Sequence, residues 1–265
     1  MEKYIKYVLI SLFLVFSIFY TNKVIEISQY NNTILASIND YASKNDYKCI
    51  EGSVNNDGII LGISGLVVNK NKSYSNMKGI GFKKELIEYD KDECILNKKN
   101  NIDRYILKGN DYSKNISIVI NIESGKYFNK MLDIAETKDI EINLLMNTSF
   151  LRNNITDEYN HSNILYKGNS LDDLNSFIGL LHNEFFCVKT NDYEIINDCK
   201  SKKINSIKMS NEIKKDLLIN TKKLLNNGVI IFIRENEFNL SELSSTINYI
   251  KSRGFTIVNI NELLS

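Results

Sequence analysis

The chain has no proline, no tryptophan and only two histidines among its 265 residues. Asn, Ile and Lys are abundant instead, a bias that matches an AT-rich coding sequence. Asn-x-Ser/Thr triplets such as Asn147-Thr148-Ser149 are therefore expected by chance and carry no information. An excess of charge is missing as well. With 33 basic residues against 32 acidic ones, there is no electrostatic argument for nucleic acid or acidic lipid as a partner. The four cysteines include no Cys-x-x-Cys pair, which argues against a zinc–thiolate site. No internal repeat is visible. The hydrophobic share of 43% is enough for a real core and excludes a disordered chain. The length suits one large domain, or a medium domain with a small one.

The amino terminus carries a clear signal. Lys3 and Lys6 precede an uncharged run over residues 7–20, made of Val, Leu, Ile, Phe and Tyr with two serines. A hydrophobic segment with a positive flank places the rest of the chain outside the membrane. Counted from Tyr4 the run reaches only about 25 Å as a helix, short for a core of about 30 Å. Lys6 can snorkel, and Val24, Ile25 and Ile27 can extend the segment. No small-x-small cleavage site follows it and no lipid-anchoring cysteine is near, so residues 1–22 are expected to be an uncleaved anchor. The expected location is the cell membrane, single-pass, with the carboxyl-terminal domain extracytoplasmic. The rival reading, a cleaved signal and a secreted chain, leads to the same compartment.

Export allows Cys49, Cys94, Cys187 and Cys199 to oxidise. Cys187 ends an apolar run and Cys199 lies on the helix expected after it, which makes that pair reasonable and leaves Cys49 with Cys94. Free buried thiols are the alternative. Residues 23–48 read as a stalk in which Ile34, Leu35, Ile38 and Tyr41 form a weak helical stripe. Between residues 49 and 112 glycines cluster among short apolar runs such as Ile59-Ile60-Leu61 and Leu66-Val67-Val68. This predicts a small glycine-rich, β-type, membrane-proximal module.

From residue 113 to the end, strands and helices alternate. Ile116, Ile118, Val119, Ile120 and Ile122 form a β-branched run expected of a strand covered on both faces. Tyr127, Phe128, Met131, Leu132 and Ile134 share a helical stripe, and Ile142, Leu144, Leu145 and Met146 supply the next strand. This is a right-handed βαβ unit, whose chemistry belongs at the carboxyl end of its first strand, Asn121-Ile122-Glu123-Ser124-Gly125. A polar loop is expected over residues 153–169. Ser170 is the expected N-cap of the helix after it. A strand over 185–188, a helix over 193–203 and a strand over 204–209 follow. After a helix through Leu217 and Leu225, Gly228 introduces Val229-Ile230-Ile231-Phe232-Ile233, the strongest strand signal in the chain. The last long helix carries Leu240, Leu243, Ile247 and Ile250, with Gly254 placed as its C′ residue. Repeated βα units give a closed barrel or an open doubly wound sheet.

Several of these segments, in this order, resemble the polysaccharide deacetylases, or NodB-homology domains. Ile120-Asn121-Ile122-Glu123-Ser124-Gly125 stands where that family has Leu-Thr-Phe-Asp-Asp-Gly. Asn160-His161-Ser162 is similar to the start of its His-Ser/Thr-x-x-His motif. Gly228-Val229-Ile230-Ile231-Phe232-Ile233-Arg234-Glu235-Asn236 is similar to its Gly-Ser-Ile-Ile-Leu-Leu-His-Asp-Asn segment. The close, over residues 250–258, resembles its final turn. The resemblance covers roughly residues 115–265 and implies an α/β fold, a distorted (β/α) barrel.

The family's activity is a metal-dependent N-deacetylation, in which one Asp and two His hold a divalent cation that activates water. Here Ser124 stands in place of the metal Asp and Leu165 in place of the second His, leaving His161 as the only ligand-type residue retained. Glu123 occupies the general-base position, and Arg234 replaces the general-acid His, a group that does not give up its proton at neutral pH. The third motif needs Arg and Pro where this chain has Cys187-Val188-Lys189. The resemblance therefore implies a pseudoenzyme that binds cell-wall glycan or a surface protein through Glu123, Ser124, His161 and Arg234, with no cofactor. A zinc ion is expected only if Asp157 and Glu158 rebuild a site with His161. The alternatives are an active carbohydrate N-deacetylase with a rearranged site, and a structural surface protein. Blander readings stand beside these: an ion pair between Glu123 and Arg234, a plain turn at Ser124 and Gly125, an idle loop histidine at His161, and a structural His182. Arg234-Glu235 either recognises a polar glycan or fills the space of the lost histidine.

Overall fold

The computed structural model describes residues 2–154, 163–181, 184–190 and 193–265. The chain opens with α1 (Glu2–Asn45), β1 (Ser53–Asn55), β2 (Gly58–Ile60), β3 (Gly65–Val68), α2 (Lys70–Met77), β4 (Tyr89–Asp92) and β5 (Tyr105–Lys108). It continues with β6 (Asn115–Asn121), α3 (Phe128–Thr137), β7 (Asn143–Met146), α4 (Thr148–Asn154), β8 (Asn163–Tyr166), α5 (Leu171–Leu180) and β9 (Phe186–Lys189). The last elements are α6 (Ile196–Ser201), β10 (Ser206–Lys208), β11 (Glu212–Ile213), α7 (Leu217–Leu224), β12 (Ile230–Arg234), α8 (Glu237–Ser252), β13 (Thr256–Ile257) and α9 (Ile260–Leu263).

These elements form two compact units, one of residues 1–49 and 64–92, the other of residues 50–63 and 93–265. The first is built on α1. Its amino-terminal half exposes apolar side chains from Tyr4 to Ile27, whereas Ile34, Ile38 and Ala42 are buried against Val68 and Met77. Of the stripe expected in the stalk, Ile34 and Ile38 are buried and Tyr41 packs against them, whereas Leu35 is exposed, on a helix that runs unbroken to Asn45. Over residues 4–45, α1 is long and apolar enough to cross a membrane, which is compatible with an anchor or a signal sequence. The antiparallel pair β3–β4 completes this unit.

The glycine-rich stretch 49–112 does not stand as a unit of its own. Residues 64–92 belong with α1, while β1, β2 and β5 extend the large sheet of the second unit. Gly58 shows why that stretch needs glycine, since a Cβ there would lie 2.2 Å from the Tyr105 carbonyl oxygen on the neighbouring strand.

The second unit is a curled half-barrel with strand order β1-β2-β5-β10-β9-β8-β7-β6-β12-β11, and β13 pairs with β6. All its strand pairs are parallel except β1–β2. Strand parity sorts the side chains into two cores. Ile116, Ile118, Ile120, Leu144, Tyr166, Ile231 and Ile233 face the helices, among them Met131, Phe177, Leu243 and Ile247. Val119, Leu145, Leu165, Phe186, Ile207, Ile230 and Phe232 face the other way, into a core with Val258, Ile260, Leu263 and Leu264. Asn143 fixes that carboxyl-terminal segment by donating to Ser117 Oγ at 2.7 Å and accepting from the Ile260 N–H at 2.9 Å.

The expected strands and helices of this unit are present, and Gly254 closes α8 with φ +77°. Four elements, α4, β8, β11 and α9, depart from expectation. The polar loop expected over 153–169 contains β8, whose Ile164, Leu165 and Tyr166 are buried. No described cysteine is free: Cys187 is bonded to Cys199, and Cys49 and Cys94 are disulfide-bonded as well.

Candidate functional site

Parity along the strands decides what reaches the carboxyl end of the sheet. On β6 the residues facing the Val119 core are Ser117, Val119 and then Asn121, and on β12 they are Ile230, Phe232 and then Arg234. Beyond β8, Leu165 is followed two residues later by Lys167. Register places Arg234 beside Asn121, and β11 adds Glu212 beside Phe232. The mouth of the half-barrel therefore collects an amide, two cations and a carboxylate from four strands.

These groups are joined. Asn121 Nδ2 donates to Glu212 Oε1 at 2.5 Å and to Glu123 Oε1 at 3.1 Å. The Lys167 ammonium donates to Asn121 Oδ1 and to the Ile122 carbonyl, both at 2.5 Å, and lies 3.8 Å from Glu123 Oε1. Burial lowers the Lys167 pKa, while the charges of Glu123 and Glu212 oppose that shift. Arg234 donates from Nε at 3.0 Å and Nη2 at 2.6 Å to Glu212 Oε2, and this bonding raises its pKa further.

The turn from β6 into α3 is held from below by Glu235. Its Oε2 accepts the backbone N–H groups of Glu123, Ser124 and Gly125 at 3.0, 2.9 and 2.8 Å, and its Oε1 accepts that of Tyr127 at 2.6 Å. Gly125, at φ +76°, makes the curl, and a Cβ on it would lie 2.6 Å from the Phe150 ring. Successive N–H groups turned inward form an anion-binding nest, here filled by the chain's own carboxylate. Burial alone would raise the Glu235 pKa, but the four backbone hydrogen bonds outweigh it and hold the group below its ordinary value.

The residues singled out from the sequence are thus partly brought together. Glu123 and Arg234 share the mouth, but Arg234 pairs with Glu212 rather than with Glu123, because β11 delivers a carboxylate directly beside β12. The Ser124 hydroxyl accepts the Lys126 N–H at 3.2 Å and makes the turn. Glu235 is 3% exposed and cannot meet a ligand. Leu165 is fully buried within β8. His161, Asp157, Glu158 and His182 lie outside the described residues. Lys167, Glu212 and the anchoring role of Glu235 were not foreseen. The parity of β8 is the signal that finds Lys167, once β8 itself is recognised. Beside Lys167 a cavity of about 330 Å3 is lined by Asn147, Ser149, Gly168, Asn169, Asp173 and Thr190.

Comparison with solved structures places this architecture. The wild-type form of BA3943, a CE4 family pseudoenzyme from Bacillus anthracis, matches with a TM-score of 0.62 at 16% identity, over 88% of this chain and 95% of that one. The fold is that of the NodB-type polysaccharide deacetylases. A BA3943 mutant described as having restored enzymatic activity matches at TM-score 0.63 and 15% identity, over 88% of this chain and 98% of that one. PdaA of Bacillus subtilis, a family 4 carbohydrate esterase, matches at 0.51 and 13% identity, over 63% and 86%. No protein-family model and no curated protein matches the chain.

A deacetylase of this fold requires a divalent metal, and among the described residues the groups at this mouth do not fit one. A zinc site needs imidazole, thiolate or carboxylate donors around an open position. Here an ammonium already occupies the acceptors at the end of β6, and Arg234 pairs with the buried Glu212 carboxylate. The cysteines Cys49, Cys94, Cys187 and Cys199 are all disulfide-bonded and offer no thiolate to a metal.

Proposed function

We propose that this chain is an extracytoplasmic deacetylase-like pseudoenzyme, anchored in the membrane by α1, that binds cell-wall glycan at the mouth of its half-barrel. The observation that carries the reading is the Lys167 ammonium bonded to Asn121 and Ile122, at the end of the strand that leads into the turn where the resemblance puts Ser124 in place of a metal ligand. The anchor reading rests on the exposed apolar surface of α1 from Tyr4 to Ile27. Glycan is favoured over a purely structural role by the polar lining of the cavity beside Lys167, where amides, hydroxyls and a carboxylate converge as sugar hydroxyls require.

Glu123 and Arg234 have separate parts in this reading. Glu123 is 46% exposed at its side chain and offers a carboxylate to a sugar hydroxyl. Arg234 spends Nε and Nη2 on Glu212, so its remaining amino group is the one available to a ligand. The test is co-sedimentation of the full-length protein with insoluble peptidoglycan, paired with an acetate assay. The expected result is retention without acetate release, and retention weakened by Glu123→Ala. A protein that stays in the supernatant rejects the glycan. Acetate released in a Glu123-dependent manner rejects the pseudoenzyme and favours a rearranged deacetylase.

A further inference from the structure

We infer that a second cavity, at the opposite end of the sheet from the mouth, binds a single-chain anionic amphiphile: an acyl chain carrying a phosphate head with free hydroxyls. The inference is independent of the glycan reading, because the two sites share no residue.

The apolar lining comes first. Phe185 and Phe186 open β9, Ile204 leads into β10, and Ile178 and Leu181 come from the end of α5. Together they floor a cavity of about 650 Å3. Sites that enclose small ligands run to about 300–1,000 Å3 and are mainly apolar with a few placed polar groups, so this one has room for an extended chain. Its floor is fixed before anything binds. The Phe185 ring stands edge-on to the fully buried Phe177, 5.1 Å between centroids, and the Cys187–Cys199 bridge ties β9 to α6.

Charge decides the head group. Lys98 and Lys99 stand on one segment of the rim and Lys202 and Lys203, just past α6, on another, against a single carboxylate, Glu184. The balanced charge of the whole chain conceals this local excess. Among the described residues Lys98, Lys202 and Lys203 make no ion pair, and Lys99 has an exposed one with Glu93 at 3.1 Å. Ammonium groups not tied to carboxylates, set above an apolar floor, suit a ligand divided the same way, an anion on a hydrocarbon tail. Phosphate is an anion that lysines bind well as point charges. Asn205 supplies the third part. Its backbone carbonyl accepts the Cys187 N–H at 3.0 Å, while its side-chain Oδ1 is buried at the cavity wall with no hydrogen-bond partner among the described residues. A buried amide oxygen left without a donor is a cost that a bound hydroxyl removes. Tail, anion and hydroxyl together match a lysophospholipid with a glycerol head.

Native mass spectrometry of the full-length protein in a neutral detergent tests this, with myristoyl lysophosphatidylglycerol as the probe. One molecule is expected to bind per chain. Myristoyl lysophosphatidylcholine, whose head has no net charge, and glycerol phosphate, which has no tail, are both expected to stay unbound. Lys202→Glu combined with Lys203→Glu should weaken uptake of the probe by about twentyfold or more, at about fivefold for each lysine lost beside an anionic head. Lys98→Glu combined with Lys99→Glu changes the other segment of the rim and carries the same expectation, with circular dichroism to show that each variant is folded. Equal binding of the choline lipid would overturn the inference by removing the lysine rim from recognition. Equal binding of glycerol phosphate would leave a phosphate site and reject the amphiphile. Uptake unchanged in the folded variants would put the lipid on another surface, the apolar face of α1 included, and overturn the inference as well.

Discussion

Lys167 Nζ lies 2.5 Å from Asn121 Oδ1, a bond between the carboxyl ends of β8 and β6 that passes over β7. It ties the carboxyl ends of β6 and β8 across β7, and it does so with a proton donor. In the reading proposed above, fixed charge and hydrogen bonding at this mouth stand in for an exchangeable Lewis acid.

Glu235 should make the fold acid-sensitive. Its pKa is lowered from the ordinary 4.5 in the folded chain, so the stability it contributes is present above that value and is lost as pH falls through the folded pKa. Urea unfolding of wild type and Glu235→Gln is expected to differ by about 3 kcal/mol at pH 7, since several bonds to a buried charge are weakened, and to converge in acid. Parallel curves at both pH values would contradict this.

Reinstating a histidine at position 234 should not create an enzyme. Arg234→His supplies an imidazole but removes two hydrogen bonds from Glu212, whose side chain is 7% exposed. A stability loss of about 1–3 kcal/mol is expected, with no acetate released from N-acetylated oligosaccharides. Denaturant midpoints and an acetate assay on the same preparation check both halves.

The Cys187–Cys199 bridge closes a 12-residue separation across the end of β9 and α6, and both sulfurs sit in the helix-side core. Replacing both cysteines by Ala should cost about 2–4 kcal/mol. A larger shift is expected in wild type on full reduction, because Cys49 and Cys94 are released as well, and it is read as a lower thermal midpoint.

Deleting residues 2–27 should move the protein from the membrane fraction to the soluble one, because Ile34, Ile38 and Ala42, which anchor α1 to its own unit, are retained. Membrane fractionation with immunodetection reads the outcome. A truncated chain that still pellets with membranes would show a second attachment.

Much of the fold was legible in the sequence because its strongest strands are long β-branched runs. β6 and β12 each read as continuous apolar segments, and α8 is marked at its end by Gly254. The four cysteines were legible as a disulfide framework for the same kind of reason, an even count in an exported chain. β8 was not, because three apolar residues between Asn163 and Lys167 look like part of a polar loop until β7 and β9 pair on either side of it. With β8 went Lys167, which has no motif of its own. Glu212 was hidden similarly: β11 is two residues long, and only its parallel pairing with β12 brings it to Arg234. Glu235 was visible as a carboxylate after a strand, but its burial depends on four N–H groups that turn inward only once Gly125 takes a positive φ. Long-range pairing decides all three, and local pattern does not report it.

The most direct test of the account is the metal content of the full-length protein, measured by mass spectrometry after incubation with Zn2+ and desalting. With the Lys167 ammonium seated among the oxygens at the end of β6, the account predicts far less than one zinc per chain. One equivalent of zinc, retained by wild type and lost when Glu123 is substituted, would contradict it.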